Sequence, residues 1–375
     1  MVRTARDVLL PLFVFPTLSS LATTYIFGHL FDSGLADTLG ARCPTILPPN
    51  ATQDYPSRLK YTGFDSFDGR FCGIVEFFQY AIAPSDTEPL PRLFTGYFMG
   101  TALPLLVLLA VETTRYRRSV NASGGWLKNP LLSSFSLLGL VYQCFSFGVT
   151  IPIYWLFYIL SGADGAASGT RQHRRVVLTR EHAEAILFGI VMGAVVPSFG
   201  MLILNDAIVT GMWQVFPMLV SLFKSVHLAV RPPRVQAGAG GDTTGYGLLR
   251  VVYLLTAIVA SSTHVATVWP RLVLSLTGNN EGGWFGPDSV VGLLVLEFLQ
   301  WDLTFTYAAC IIASFWLVRE VVNGVRGVVK VVLWYVLAVP VIGPGAAIAG
   351  VVIWREGRLE EEWKSKNGSG CNGTK

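Results

Sequence analysis

The sequence predicts an all-α, polytopic integral membrane protein, on three observations. The chain of 375 residues is 52% hydrophobic and only 14% charged, where ordinary soluble domains carry about 25% charged residues. Its mean hydropathy is +0.50. Apolar runs long enough to cross about 30 Å of hydrocarbon recur along it, separated by polar segments. The net charge of +4 is spread along the chain, so nothing points to nucleic acid as a partner. The partner that composition implies is the lipid bilayer.

Taken in order, about eight spans are expected within a single transmembrane domain, 1–375. Arg3 and Arg6 precede Val8–Leu30, whose roughly twenty apolar residues fit a first span better than a cleaved signal peptide. The long polar segment Phe31–Leu93 contains an amphipathic stretch, Phe64–Ala83, expected to lie in the interface or cap a cavity. On a helix Asp65, Cys72 and Glu76 share one stripe, because separations of 7 and 11 residues are close to whole turns. Phe94–Thr114 is the second span. Leu131–Leu160, the third, is long and holds Gln143, Ser146 and Pro152, so a tilt or kink is expected. Ala183–Leu204 and Ala207–Val230 form a tight hairpin around Asn205-Asp206, with Lys224 and His227 expected to snorkel. Leu248–Pro270, Val291–Val318 and Val328–Trp354 complete the set, and Arg355–Lys375 reads as a polar tail.

Two acids, Glu297 and Asp302, lie inside the seventh apolar run with no cation close in sequence. Unpaired carboxylates are costly in hydrocarbon, so such acids are functional candidates, with a structural hydrogen-bonding role as the alternative. A carboxyl kept protonated can donate to an apolar substrate. Asp302 sits deepest. Glu297 lies about 140° around the helix from it, so the two are not expected to share a pocket. The 10 Trp, 13 Tyr and 23 Phe can line a cavity whose ring faces stabilise cations. Other chemistries lack their motifs. Asp65-Ser-Phe-Asp68 is the one DxxD, where magnesium-dependent prenyl transfer needs two. The glycines of Ala237–Gly247 match no phosphate loop, and the five histidines are scattered. No metal site or cofactor is expected. A polar path through Gln143, Gln214, His264, Glu297 and Asp302 keeps a carrier or exporter open, and a non-catalytic partner of biosynthetic enzymes is a further alternative.

Cys43 and Cys72 flank one polar loop and can pair if that loop is lumenal. Sequons stand at Asn50, Asn121, Asn367 and Asn372. The last three share a side with both termini in an eight-span chain, which favours lumenal termini, while Lys and Arg are balanced between the sides. The multispan build and the sequons suggest the endoplasmic reticulum.

Four stretches resemble the fungal membrane-bound terpene cyclases of meroterpenoid pathways, the ascochlorin and ascofuranone type with relatives in indole-diterpene and drimane clusters. They are Tyr61-Thr-Gly-Phe-Asp65, Ile74-Val-Glu-Phe-Phe78, Trp213-Gln-Val-Phe-Pro217 and Phe298-Leu-Gln-Trp-Asp302. The resemblance implies a metal-independent isomerase-type reaction on a lipophilic prenylated aromatic, often with a terminal epoxide on a farnesyl chain, alongside other pathway enzymes. Within that frame Asp302 is the expected general acid, with Glu76 and then Glu297 as further candidates. His264 is a candidate final proton acceptor, and Trp213, Gln214, Trp301 and Tyr307 are expected to shape the cavity.

Overall fold

The computed structural model describes residues 5–46, 55–82, 89–123, 129–163, 177–233, 244–276, 290–319, 321–322 and 324–368. Among these the regular elements are helices, with one isolated bridge between Thr179 and Thr244. The chain runs through α1 (Val8–Asp32), α2 (Leu35–Ala41), α3 (Asp65–Ile82), α4 (Pro89–Ser123), α5 (Phe135–Phe145), α6 (Phe147–Leu160), α7 (Arg180–Leu204), α8 (Ala207–Gln214), α9 (Phe216–Val230), α10 (Tyr246–Leu276), α11 (Val290–Val318), α12 (Gly324–Ile342) and α13 (Pro344–Gly368).

By length and composition six described helices can cross a bilayer: α1, α4, α7, α10, α11 and α12. The pair α8–α9 is a seventh if its 64° bend is counted within one span. The expected third and eighth spans are each divided. The third breaks at Ser146, between α5 and α6, rather than at Pro152, which sits inside α6. The eighth turns at Gly343, whose φ of 86° suits glycine. The expected polar tail is helical as far as Gly368. Of the sequons, Asn121 and Asn367 fall in the final turns of α4 and α13, while Asn50 and Asn372 lie outside the described residues.

α4 and α11 form the centre. Their spanning windows are 72% and 61% buried, against 28% for α1 and α10 and 17% for α12, whose apolar faces remain outward as lipid-facing helices require. α6 packs between α1 and α11, and α13 packs on α4 and α10. The α7–α8 hairpin turns as expected. Asn205 ends α7 at φ 47°, and the Asp206 carboxylate accepts the Ile208 and Val209 amides at 2.8 and 3.0 Å. Lys224, expected to snorkel, instead donates to Thr114 Oγ1 at 3.2 Å, and His227 lies 3.7 Å from Glu184.

α13 enters the centre through charge. Arg355 and Glu356 are fully buried, with Glu112 and Arg115 of α4 beside them. Arg355 donates to Glu112 at 2.6 Å, Arg115 to Glu112 at 2.9 Å and to Glu356 at 2.8 Å, and Tyr158 of α6 donates to Glu112. Two acids and two guanidinium groups cancel, which permits all four to leave water together.

Candidate active site

A cavity of about 640 Å³ lies among α1 to α9 and α11, within the usual size of ligand sites. Among the described residues lining it, Asp302 is the one acid and Arg70 the one cation. Asp302 is buried, and its Oδ1 accepts from the Ser146 hydroxyl at 2.7 Å and from the Gly148 amide. The break at Ser146 frees the first amides of α6, and the Asp302 side-chain oxygen caps one of them from a different helix. Ser146 is at φ 68°, ψ 150°, a strained place for a residue with a side chain. Such strain persists where surrounding contacts fix it, here the bond to Asp302. Gly148 has to be glycine: a Cβ there would stand 2.8 Å from the Asp302 carbonyl oxygen.

A belt of seven rings lines the cavity. From Phe298, one turn before Asp302, the centroids step to Phe77 at 4.9 Å and Phe78 at 5.3 Å. They continue to Trp213 at 4.9 Å and Phe216 at 5.5 Å, then Tyr142 at 6.2 Å and Phe147 at 4.7 Å. Phe147 adjoins both residues that bond Asp302, so the belt begins and ends beside the acid. Trp213 is pinned by its indole N–H to Ser198 at 2.9 Å. The arrangement pairs a proton donor with several cation-stabilising faces.

The loop end of the cavity is built around Arg58. This buried arginine donates to the Pro44, Thr45 and Leu59 carbonyls at 2.9, 2.8 and 3.1 Å. The disulfide Cys43–Cys72, with Cα atoms 5.7 Å apart, ties the end of α2 to α3. Both carboxylates of the DxxD stretch have structural partners. Asp65 lies 3.3 Å from Arg58, and Asp68 accepts from the Thr62 amide and hydroxyl and the Gly63 amide at 2.7–3.0 Å. Burial pushes the Asp68 carboxyl up, and these bonds with the Arg58 charge reverse it, leaving it below its ordinary value. Burial and the nearby Asp206 and Asp68 push the Tyr61 hydroxyl up to about 12. Among the described residues no three of His, Cys, Asp and Glu gather as a metal site would require.

Of the expected acids, proton acceptor and cavity-shaping residues, Asp302 and Trp213 line this cavity, as does Gln143 of the polar path considered for a carrier, and the others do not. Glu76 is buried against Arg42 at 3.1 Å and the Ser57 hydroxyl. Glu297 is half-exposed, 3.7 Å from His29, and as expected does not share the pocket with Asp302. His264 lies against Gly343, with Tyr97 at 3.2 Å and the Pro340 carbonyl at 3.3 Å, where it ties α10 to the α12–α13 turn. Gln214 is buried at the α8–α9 bend and does not line the cavity. Trp301 packs on Tyr25 at 4.5 Å, outside the cavity. Tyr307 lines a smaller cavity of about 260 Å³ on the other side of α4 and α11, together with Tyr97 and Gln300. The sequence reading named Ser146 only within the expected tilt or kink of the third span, and missed its bond to Asp302 along with Gly148 and Arg70. The signal for Ser146 and Gly148 was a polar residue and a glycine, Ser146-Phe-Gly148, inside an apolar run.

The chain is similar to a terpene cyclase, ascI, of Acremonium egyptiacum, with 25% identity over 358 residues that cover 88% of this chain and 86% of the relative. No solved structure matches. The family model described as the CtvD domain matches residues 10–279, from α1 to the end of α10. The chain belongs to the CtvD-domain family and, with it, to the fungal membrane-bound terpene cyclases of meroterpenoid pathways.

Proposed function

We propose that this chain is a membrane-bound cyclase, resident in the endoplasmic reticulum, that protonates a prenylated aromatic and closes its chain. The favoured substrate carries a terminal epoxide on a farnesyl tail. Asp302 gives its proton to the epoxide oxygen, and the C–O bond to the more substituted carbon breaks. Electrons of the neighbouring alkene form the new C–C bond, and the positive charge moves along the chain. Loss of a proton from carbon ends the sequence, and a proton returned to Asp302 resets it. Substrate and product therefore have the same mass, and no oxidant or reductant is consumed. The observation that carries this reading is the belt of rings that starts and finishes at a single buried acid. In such a cavity a developing cation meets ring faces, each worth roughly 0.5–2 kcal/mol.

The same geometry supplies a sharp test. Asp302 also caps α6, so its removal can act through structure alone. Asn is as good a cap as Asp but carries no transferable proton. We expect Asp302→Asn to keep the yield and melting temperature of the wild type while turnover falls by about 10²-fold or more, as loss of a general acid implies. The assay is mass spectrometry of microsomes fed a farnesylated phenol and its terminal epoxide, with an isomer of unchanged mass as the product. Full turnover in Asp302→Asn would remove the acid from the mechanism. No isomer from well-expressed wild type would shift the reading to a carrier or a non-catalytic partner.

A further inference from the structure

Resting on the cyclase reading, we infer that Arg70 binds the aromatic head of the substrate through an acidic oxygen, a phenolate or an aryl carboxylate, while the prenyl tail runs inward to Asp302. Arg70 lines the cavity, is exposed, and has no ion-pair or hydrogen-bond partner among the described residues. Its neighbouring arginines are occupied. Arg42 pairs with Glu76 and lies 5.0 Å over the Tyr80 ring, and Arg58 is saturated by carbonyls. The one cation among the described lining residues, on a mostly apolar cavity wall, is complementary to an oxyanion.

The wall that carries Arg70 is fixed. Cys72 anchors the next half-turn of α3, and Gly69 approaches the opposite strand of chain so closely that a Cβ would stand 3.2 Å from Thr45 Cα. Thr45 itself is held by Arg58 at 2.8 Å. Traced along the wall, Arg70 and Phe77 are seven residues apart on α3, roughly 10 Å at the helical rise. The Phe77 ring meets Phe298 at 4.9 Å, and Asp302 follows one turn of α11 later, about 6 Å on. The path along the wall from the cation to the acid, at most about 20 Å by these steps, passes apolar rings and has room for an extended prenyl chain. The separation also suits the chemistry, because a fixed cation beside the forming carbocation would raise its energy.

The test uses the full chain in detergent and titration calorimetry with four probes: a farnesylated benzoate, its methyl ester, a farnesylated phenol and its methyl ether. We expect at least one free-oxygen probe to bind about tenfold tighter than its capped form, as one charged hydrogen bond implies. That preference disappears in Arg70→Met and persists in Arg70→Lys. Whichever pair shows it identifies the head. Equal binding of free and capped probes, an equal loss of both in Arg70→Met, or no binding of any probe overturns the inference. The cyclase reading is scored separately from isomer formation. An Arg70-dependent preference without any isomer leaves the head site standing and removes the cyclase. An isomer formed with no Arg70-dependent preference does the reverse.

Discussion

Gly148 is where the smallest change has the largest geometric consequence. Its amide reaches Asp302 only because α6 lies directly against α11, and its missing side chain makes that approach possible. A methyl group there would meet the Asp302 carbonyl oxygen at 2.8 Å, Oδ1 at 3.1 Å and Ile26 Cδ1 at 3.2 Å. Two of the three are parts of the acid-bearing residue, so relief requires α6 and α11 to separate. We expect Gly148→Ala to cost about 1–3 kcal/mol, the usual price of overpacking, read as a lower melting temperature in detergent. Turnover should fall further than stability, because the amide bond that orients the acid lengthens as the helices part. Ser146→Ala removes one hydrogen bond without adding volume, so it should be milder on both readouts. If Gly148→Ala kept full turnover, the α6 cap would have no part in positioning Asp302.

At the scale of elements, α13 differs most from expectation. Arg355-Glu356 opens a stretch of alternating charges that reads as solvated tail, and a charge run usually is one. What the sequence does not display is that Glu112 and Arg115, some 240 residues earlier, offer the complementary charges. Arg355→Met should therefore cost about 3–5 kcal/mol, the penalty of leaving Glu112 buried with one counter-charge fewer. Adding Glu112→Gln should recover part of that loss, since the orphaned charge disappears with its partner. Failure of the double variant to recover any stability would mean that the four charges do not act as a unit. The same distinction explains what else was legible. Long apolar runs and the Asn205-Asp206 turn are local patterns, and they fixed the helical class and the α7–α8 hairpin. Asp302 was legible because an acid in hydrocarbon is conspicuous by itself. The break at Ser146 depends on Asp302 supplying the cap from 156 residues away. The exclusion of Glu76 depends on Arg42 and Ser57. Trp301 and Tyr307 were misplaced because neighbours on one helix point in different directions.

For the whole molecule, the disulfide bears on which way the chain faces. Disulfides persist in oxidising compartments, so, with the proposed residence in the endoplasmic reticulum, the Cys43–Cys72 bond leads us to expect the segment that carries it on the lumenal side, with Arg70 and the loop end of the cavity. α4 is one continuous helix that leaves this segment and ends near Arg117, Arg118 and Asn121. That end is then cytosolic, where an excess of Lys and Arg belongs. The sequons alone favoured the opposite orientation, but a sequon is only a sequence permission, whereas the cystine requires its environment. Because Asn50 and Asn121 flank a single span, only one of them can meet the glycosylation machinery. We expect a glycan removable by endoglycosidase on Asn50, lost as a mobility shift in Asn50→Gln and unaffected by Asn121→Gln. In the same microsomes a membrane-impermeant thiol reagent should label Cys43 and Cys72 only after reduction and permeabilisation. A glycan on Asn121 would reverse the chain in the membrane, place Cys43 and Cys72 in a reducing compartment, and turn the Arg70 end of the cavity toward the cytosol.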